Sequence, residues 1–107
     1  MVIAVLVTIP SKDAKALAQA LLREKACACV NVIKGVESHF WWEGKINTSQ
    51  EDLLVIKTKE SLFGKLKQLI ENNHPYDTCE VIAFGVDHIN KKYFDWLNGE
   101  IDASISD

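Results

Sequence analysis

His74, Cys29 and Glu80 are the side chains whose types and surroundings point to chemistry. His74 sits in Asn72-Asn73-His74-Pro75, which ends a run of helical apolar spacing, because the residue before a proline leaves the α region. A side chain at such a helix end, beside a turn, reaches into a cleft. Its imidazole suits copper or zinc; as an imidazolium it would instead interact with the last carbonyls of the helix. Cys29 offers a soft thiolate suited to Cu(I), and Cys27-Ala28-Cys29 puts two thiols on one face of a strand. Thiols are also common as small buried hydrophobes, the reading adopted for Cys27. Glu80 follows the His74-Pro75-Tyr76 turn and would bring a carboxylate to the same cleft, or pair with Lys57 across a sheet. Tyr76 packs its ring and hydrogen-bonds its hydroxyl. A Cys-His pair can mark nucleophilic catalysis, but no orienting third group or oxyanion motif is recognisable, and the chain does not read as an enzyme.

The elements that must position these residues follow from spacing. Val2–Ile9 is almost wholly apolar and β-branched, as in a strand buried on both faces, and Pro10 stops it. Ser11 reads as an N-cap with Asp13 in the first turn. Ala14, Leu17, Ala18, Leu21 and Leu22 recur at helical spacing to about Lys25. Cys27–Ile33 is the second strand, with Gly35 at a bulge or bend. A third strand runs from Ile46 to Thr58, broken by the polar Asn47–Asp52 segment, read as a bulge or loop. Thr58 caps a second helix with Leu62, Phe63, Leu66, Leu69 and Ile70 as its stripe, and Gly64 allows a close packing contact. Glu80–Val86 is a fourth strand. Asn90 caps a third helix that Gly99 ends, leaving Glu100–Asp107 as an edge strand or tail. The order βαββαβ plus a helix gives an α+β, ferredoxin-like sandwich: four antiparallel strands, two helices on one face and one helix added.

Between strands two and three stands Glu37-Ser-His-Phe-Trp-Trp-Glu-Gly-Lys45. Read with period 2, Phe40 and Trp42 face one way, His39 and Trp41 the other. Both faces are aromatic, and the turn is Glu43-Gly44. This is a long β-hairpin arm that overhangs its own domain, and a large exposed apolar patch marks an interface. Phe40, Trp41 and Trp42 are therefore expected to lie on another subunit. His39 and His88 show no partner pattern and read as surface residues.

Size and charge narrow the classes. The 107 residues make one domain, 1–107, and 48% apolar content supports a real core. With a net charge of −3 and no basic run, nucleic-acid binding through phosphates is disfavoured, so the arm's aromatics read as interface and not as a base-stacking platform. No apolar stretch approaches the roughly 20 residues of a membrane span, and the N-terminus lacks a signal-peptide pattern. Three cysteines, two of them two positions apart, do not form a disulfide framework. The expected location is the cytoplasm.

Several local patterns together resemble the CutA family, named for divalent-cation tolerance. They are Ala28-Cys29-Val30-Asn31-Val32, Ser38 through Trp42-Glu43-Gly44-Lys45-Ile46, Glu51 leading to Ile56-Lys57-Thr58, His74-Pro75-Tyr76, Glu80-Val81-Ile82, and Tyr93 with Trp96-Leu97. The resemblance implies a compact homotrimer in which the hairpins pair with neighbouring sheets, much as in the PII signalling proteins. It also implies a link to copper and other divalent ions, and no defined reaction. On that reading His74, Cys29 and Glu80 are the metal-ligand candidates, and Lys57 and Tyr76 line the ligand cleft. The chain departs from the family at Cys79, where proline is frequent, at Asn73, where some members have a second histidine, and at Val7 or Thr8, where some have a thiol. The last two departures remove potential copper ligands. Two functions follow as expectations: a trimer binding a metal ion or small anionic ligand at inter-subunit clefts, or a structural, PII-like regulatory trimer that docks a partner protein without metal.

Overall fold

A computed structural model describes residues 1–105 of the chain. Strand β1 (Val2–Ile9) lies inside the sheet, which has the order β2-β3-β1-β4 and is antiparallel at every pairing. Its position explains its composition, since a strand flanked on both edges and packed on one face gains from β-branched side chains throughout. Ile3, Val5, Val7 and Ile9 point to the helical side and are buried. Ala4, Leu6 and Thr8 alternate to the other side and are half-buried.

Helix α1 (Ser11–Arg23) places Ala14, Leu17, Ala18 and Leu21 on the sheet, while Leu22 turns outward. Ser11 is not the cap: Pro10 occupies that position without a side-chain bond, and Ser11 begins the helix. Its hydroxyl donates to Asp52 Oδ1 at 2.6 Å. Asp52 is fully buried at this helix N-terminus, where the positive end of the dipole favours a carboxylate. Lys34 Nζ adds a cation 3.8 Å from Oδ2.

Strands β2 (Cys29–Trp42) and β3 (Lys45–Lys59) form one continuous antiparallel ladder from Cys29↔Lys57 to Trp42↔Lys45. At about 3.3 Å per residue the 14 residues of β2 span about 46 Å, close to the longest extent of the molecule, 45 Å. The arm therefore sets the length of the molecule. Its tip turns at Glu43 (φ 50°) and Gly44 (φ 78°), the pair of positive angles that a two-residue hairpin needs to match strand twist. The polar Asn47–Asp52 segment is not a loop; its residues pair with Val36 to Phe40 and with Ile9 as ordinary strand. Polar side chains are tolerated there because most of the arm faces solvent.

The expected irregularity at Gly35 is present. Lys34 and Gly35 (φ 77°) stand opposite the single residue Asp52, between the pairs Ile33↔Leu53 and Val36↔Glu51. One extra residue reverses the side-chain parity beyond it. Phe40 and Trp42 therefore share a face with Cys29, Asn31 and Ile33, and Trp41 takes the face of Val30 and Val32.

Thr58 does not cap the second helix. It ends its strand buried, with Oγ1 donating to the Ala26 carbonyl at 2.7 Å. A 3₁₀ turn, Glu60–Leu62, then leads into α2 (Phe63–Asn73), which buries Leu66 and Ile70. Gly64 makes no close packing contact, since nothing lies within 4 Å of where its Cβ would be. Strand β4 is short (Ile82–Gly85) and forms the second sheet edge, with Glu80 in the loop before it. Helix α3 (Lys91–Ile105) runs straight through Gly99, so the segment from Glu100 to Ile105 is helix and not strand; Ser106 and Asp107 lie outside the described residues. Leu97 and Ile101 of α3 bury against Val2 and Leu62 in a second, smaller core, apart from the main core between the sheet, α1 and α2.

Candidate functional site

The open face of the sheet and the arm meet the loop between α2 and β4, and the expected site residues fall in two groups along it. His74 is at the loop's start. It is only 8% exposed, held in extended conformation before Pro75. Its Nε2–H donates to the Thr8 carbonyl at 2.8 Å, and its Nδ1 accepts the Tyr76 backbone N–H at 3.1 Å. Both nitrogens are thus engaged within the chain, and no imidazole lone pair is left for a metal. The carbonyl it serves belongs to β1, not to the end of its own helix.

Tyr76 turns back over the arm's base, where its hydroxyl donates to Glu51 Oε2 at 2.8 Å. Glu51 is 4% exposed. Burial pushes the Tyr76 pKa up, and the Glu51 carboxylate pushes it further in the same direction. The spacing of residues did not single out Glu51 as a site residue; the available signal was an acid at the junction of a polar segment and an apolar run.

Cys29 lies elsewhere. It pairs with Lys57, which pairs with Ala4, whereas Thr8, the partner of His74, pairs with Leu53. Four residues of strand separate the two levels, about 13 Å. The Cys29 thiol donates to Asn31 Oδ1 at 3.7 Å, and the same oxygen receives Lys57 Nζ, which also reaches the Val55 carbonyl at 3.5 Å. Lys57 is therefore turned to Asn31 rather than to Glu80. Tyr93 of α3 closes this group, its pKa raised first by burial and then by the neighbouring Cys29. Cys27 is buried, and its thiol is pushed up to about 12 by burial first and Cys29 second. That fits the space-filling role expected for it.

Glu80 is exposed and lines a groove of about 930 Å³ with Phe40, Trp41, Trp42, Glu51 and Tyr76. Asp77, Thr78 and Cys79 continue its wall. Burial, and then the charge of Glu71, raise the Cys79 pKa. The tip side chains are open to solvent: Trp41 is 71% exposed, Trp42 51% and Ile46 67%. His39 is a surface residue, as expected, with partners on the arm: Nε2–H donates to Glu37 Oε2 at 2.6 Å, and Nδ1 shares a hydrogen bond with Thr48 Oγ1 at 3.4 Å.

The structure thus brings Tyr76, Glu80 and the arm aromatics together and keeps Cys29 with Lys57 apart from them. Among the described residues of one chain, no group of three or more His, Cys, Asp and Glu side chains is placed to hold a metal ion. Nor is any described helix long and apolar enough to cross a membrane.

Fold and site together define an α+β, ferredoxin-like chain with an overhanging aromatic hairpin and a groove at its base. The sequence profile described as CutA1 divalent ion tolerance protein matches residues 3–100. The chain belongs to that family. It is 50% identical over 96 residues to "Protein CutA 1, chloroplastic" of Oryza sativa, covering 89% of this chain and 54% of the rice protein. It is 40% identical over 94 residues to the "Divalent-cation tolerance protein CutA" of Thermus thermophilus, covering 87% and 91%. The chain therefore spans about half the length of the rice relative and nearly all of the Thermus one. The crystal structure of CutA1 from Oryza sativa matches with a TM-score of 0.90 at 46% identity over 92% of both chains. The structure of the periplasmic divalent cation tolerance protein CutA from Archaeoglobus fulgidus matches with a TM-score of 0.91 at 31% identity, over 94% of this chain and 99% of that one.

Proposed function

We propose that this protein serves divalent-cation tolerance as a homotrimeric binding protein, its arms laid on neighbouring subunits and its groove taking a ligand where subunits meet. The observation that carries this reading is the exposed arm tip, where Trp41 with its cross-strand partner Ile46 on one face, and Trp42 on the other, are left open by the described residues of their own chain. A subunit of this size gains greatly from burying such surface against copies of itself.

The groove's chemistry favours a cation. Glu51, Asp77 and Glu80 line it beside aromatic faces, and no lysine or arginine does. A small anionic ligand, expected as one possibility, suits this lining poorly. The residues of a single chain do not fit a copper centre, because His74 has both nitrogens engaged and Cys29 stands apart. A metal ion, copper included, would take donors from more than one subunit, with Glu80 at the groove and Cys29 on the open sheet face as this chain's contributions. Lys57 would then orient Asn31 and Cys29 rather than contact the ion. The three free thiols suit a reducing compartment, and we place the protein in the cytoplasm.

A second reading, a regulatory trimer that docks a partner protein, is favoured by the exposed Ile82 and Phe84 on the edge strand β4. Native mass spectrometry of the protein as purified separates the readings. A trimer carrying copper or zinc supports the metal reading. A bare trimer moves the search to organic cations and protein partners, and a pull-down that survives chelation identifies the latter. A bare monomer overturns the arm as an interface.

A further inference from the structure

We propose that the groove takes an organic cation: an alkylammonium whose charged head sits at the loop and whose apolar tail runs along the arm. The inference rests on the reading that the groove takes a cation, and not on the number of subunits.

The groove has two unlike ends. At its foot the Tyr76 hydroxyl ties the loop to Glu51, so Asp77 and Glu80, which follow Tyr76 on the loop, line the groove at that end. Both are exposed, whereas Glu51 is buried and adds a fixed charge from below. The Tyr76 ring lines the same end, with His74 against it at a centroid distance of 4.8 Å.

Towards the tip the lining becomes aromatic. Val36 pairs with Glu51, Phe40 with Asn47 and Trp42 with Lys45, so Phe40 and Trp42 stand on the face of the ladder that carries Glu51. Their partners Asn47 and Lys45 precede Glu51 on β3 by four and six residues, about 13 and 20 Å of strand. Both rings are exposed. Acid at one end and ring faces along the remainder match a molecule with a cationic head and an apolar body.

The same arrangement distinguishes an organic cation from a metal ion. A metal needs several donors converging on one point, and no three acidic, histidine or cysteine side chains do so among the described residues of the chain. An alkylammonium needs no such convergence. Separated carboxylates act on its charge through space, and an aromatic face meets it directly. Among the described residues no lysine or arginine lines the groove to compete, and His39, which does line it, is paired with Glu37 at 2.6 Å.

Isothermal titration calorimetry of the intact protein in buffer containing a chelator tests this. The probes are hexyltrimethylammonium, tetramethylammonium, hexanoate and 1-hexanol. Hexyltrimethylammonium should bind at least about tenfold more tightly than tetramethylammonium, which lacks the tail, and than hexanoate, which reverses the charge. The double variant Asp77→Asn, Glu80→Gln should weaken hexyltrimethylammonium about two- to fivefold, the scale of exposed charge pairs, and leave 1-hexanol unchanged. Phe40→Ala should weaken hexyltrimethylammonium and 1-hexanol and leave tetramethylammonium unchanged. Hexanoate that binds as tightly as hexyltrimethylammonium, or a double variant that binds the latter undiminished, overturns the proposal. Zinc titrated alone, without chelator, separates the outcomes. Zinc bound and hexyltrimethylammonium not bound overturns the alkylammonium and leaves the cation reading of the groove standing; neither probe bound overturns both.

Discussion

The Tyr76 hydroxyl donates to Glu51 at 2.8 Å, joining the loop after α2 to the base of the arm. The bond links two parts of the chain that lie 25 positions apart and fixes one wall of the groove against the other. Glu51→Gln should therefore move the ionisation of Tyr76 down toward the ordinary tyrosine range, because it removes the second cause of the upward shift while burial remains. Ultraviolet titration against Tyr76→Phe as the blank reads it. An unchanged midpoint would show that the carboxylate does not act on the phenol.

Stability should depend on His74 through its bonds. His74→Ala strands the Thr8 carbonyl and the Tyr76 N–H at a nearly closed site, and each buried group left unsatisfied costs about 1–3 kcal/mol. Urea denaturation should give a loss of that order at neutral pH. A change below about 0.5 kcal/mol, typical of surface positions, would show that water replaces the ring.

The arm predicts assembly. Replacing Trp41 and Trp42 together by Ser removes the exposed aromatic tip without touching the core. Light scattering should find monomers or insoluble protein. A soluble oligomer of normal size would relocate the interface to the sheet edges.

Alkaline pH provides an independent check on the core. The Cys27 thiol is held neutral in the fold, with its pKa raised from 9.0 to about 12. The unfolded chain loses that proton first, so the contribution is complete below pH 9.0 and is lost as pH rises toward about 12, with a slope of up to about 1.4 kcal/mol per pH unit. Cys27→Ala should flatten the fall of melting temperature over that window. Cys27 should also resist alkylation at neutral pH in the folded protein; rapid labelling there would contradict its burial.

Much of the architecture was legible because one physical signal dominated each segment. The β-branched run of Val2–Ile9 and the spacing of Ala14, Leu17, Ala18 and Leu21 correspond to an inner strand and a helix facing it. Gly35 marked the bulge because only a residue free of Cβ takes its φ of 77° without strain. Other features depend on partners distant in sequence. Asn47–Asp52 is polar, and only its pairing with the other limb of the arm makes it strand. Thr58 has the chemistry of a cap, but its hydroxyl is taken by Ala26, 32 positions away. Gly99 has the chemistry of a helix stop, yet Leu97 and Ile101 on either side are buried, and tertiary packing carries α3 through it.

The candidate site divides in the same way. Residue type singled out Tyr76, Glu80 and the arm aromatics, and the fold places them in one groove. Residue type also singled out His74, but a histidine's availability depends on what its two nitrogens meet. Here they meet Thr8 and Tyr76. No local pattern encodes the carbonyl of a residue 66 positions earlier.

The bulge opposite Asp52 imposes an arithmetic on the arm. Beyond it every residue of β2 has its orientation set by the extra position at Lys34-Gly35. Lengthening or shortening both limbs by two residues preserves which face of the ladder each aromatic ring takes. Removing one residue at the bulge exchanges the faces, carrying Trp41 to the side of Cys29 and Asn31 and Phe40 and Trp42 to the side of Val30 and Val32, with composition otherwise unchanged. Arm length is thus free to vary only in even steps, and the face that each aromatic ring takes is stored in a single backbone irregularity beside Glu51, at the foot of the groove.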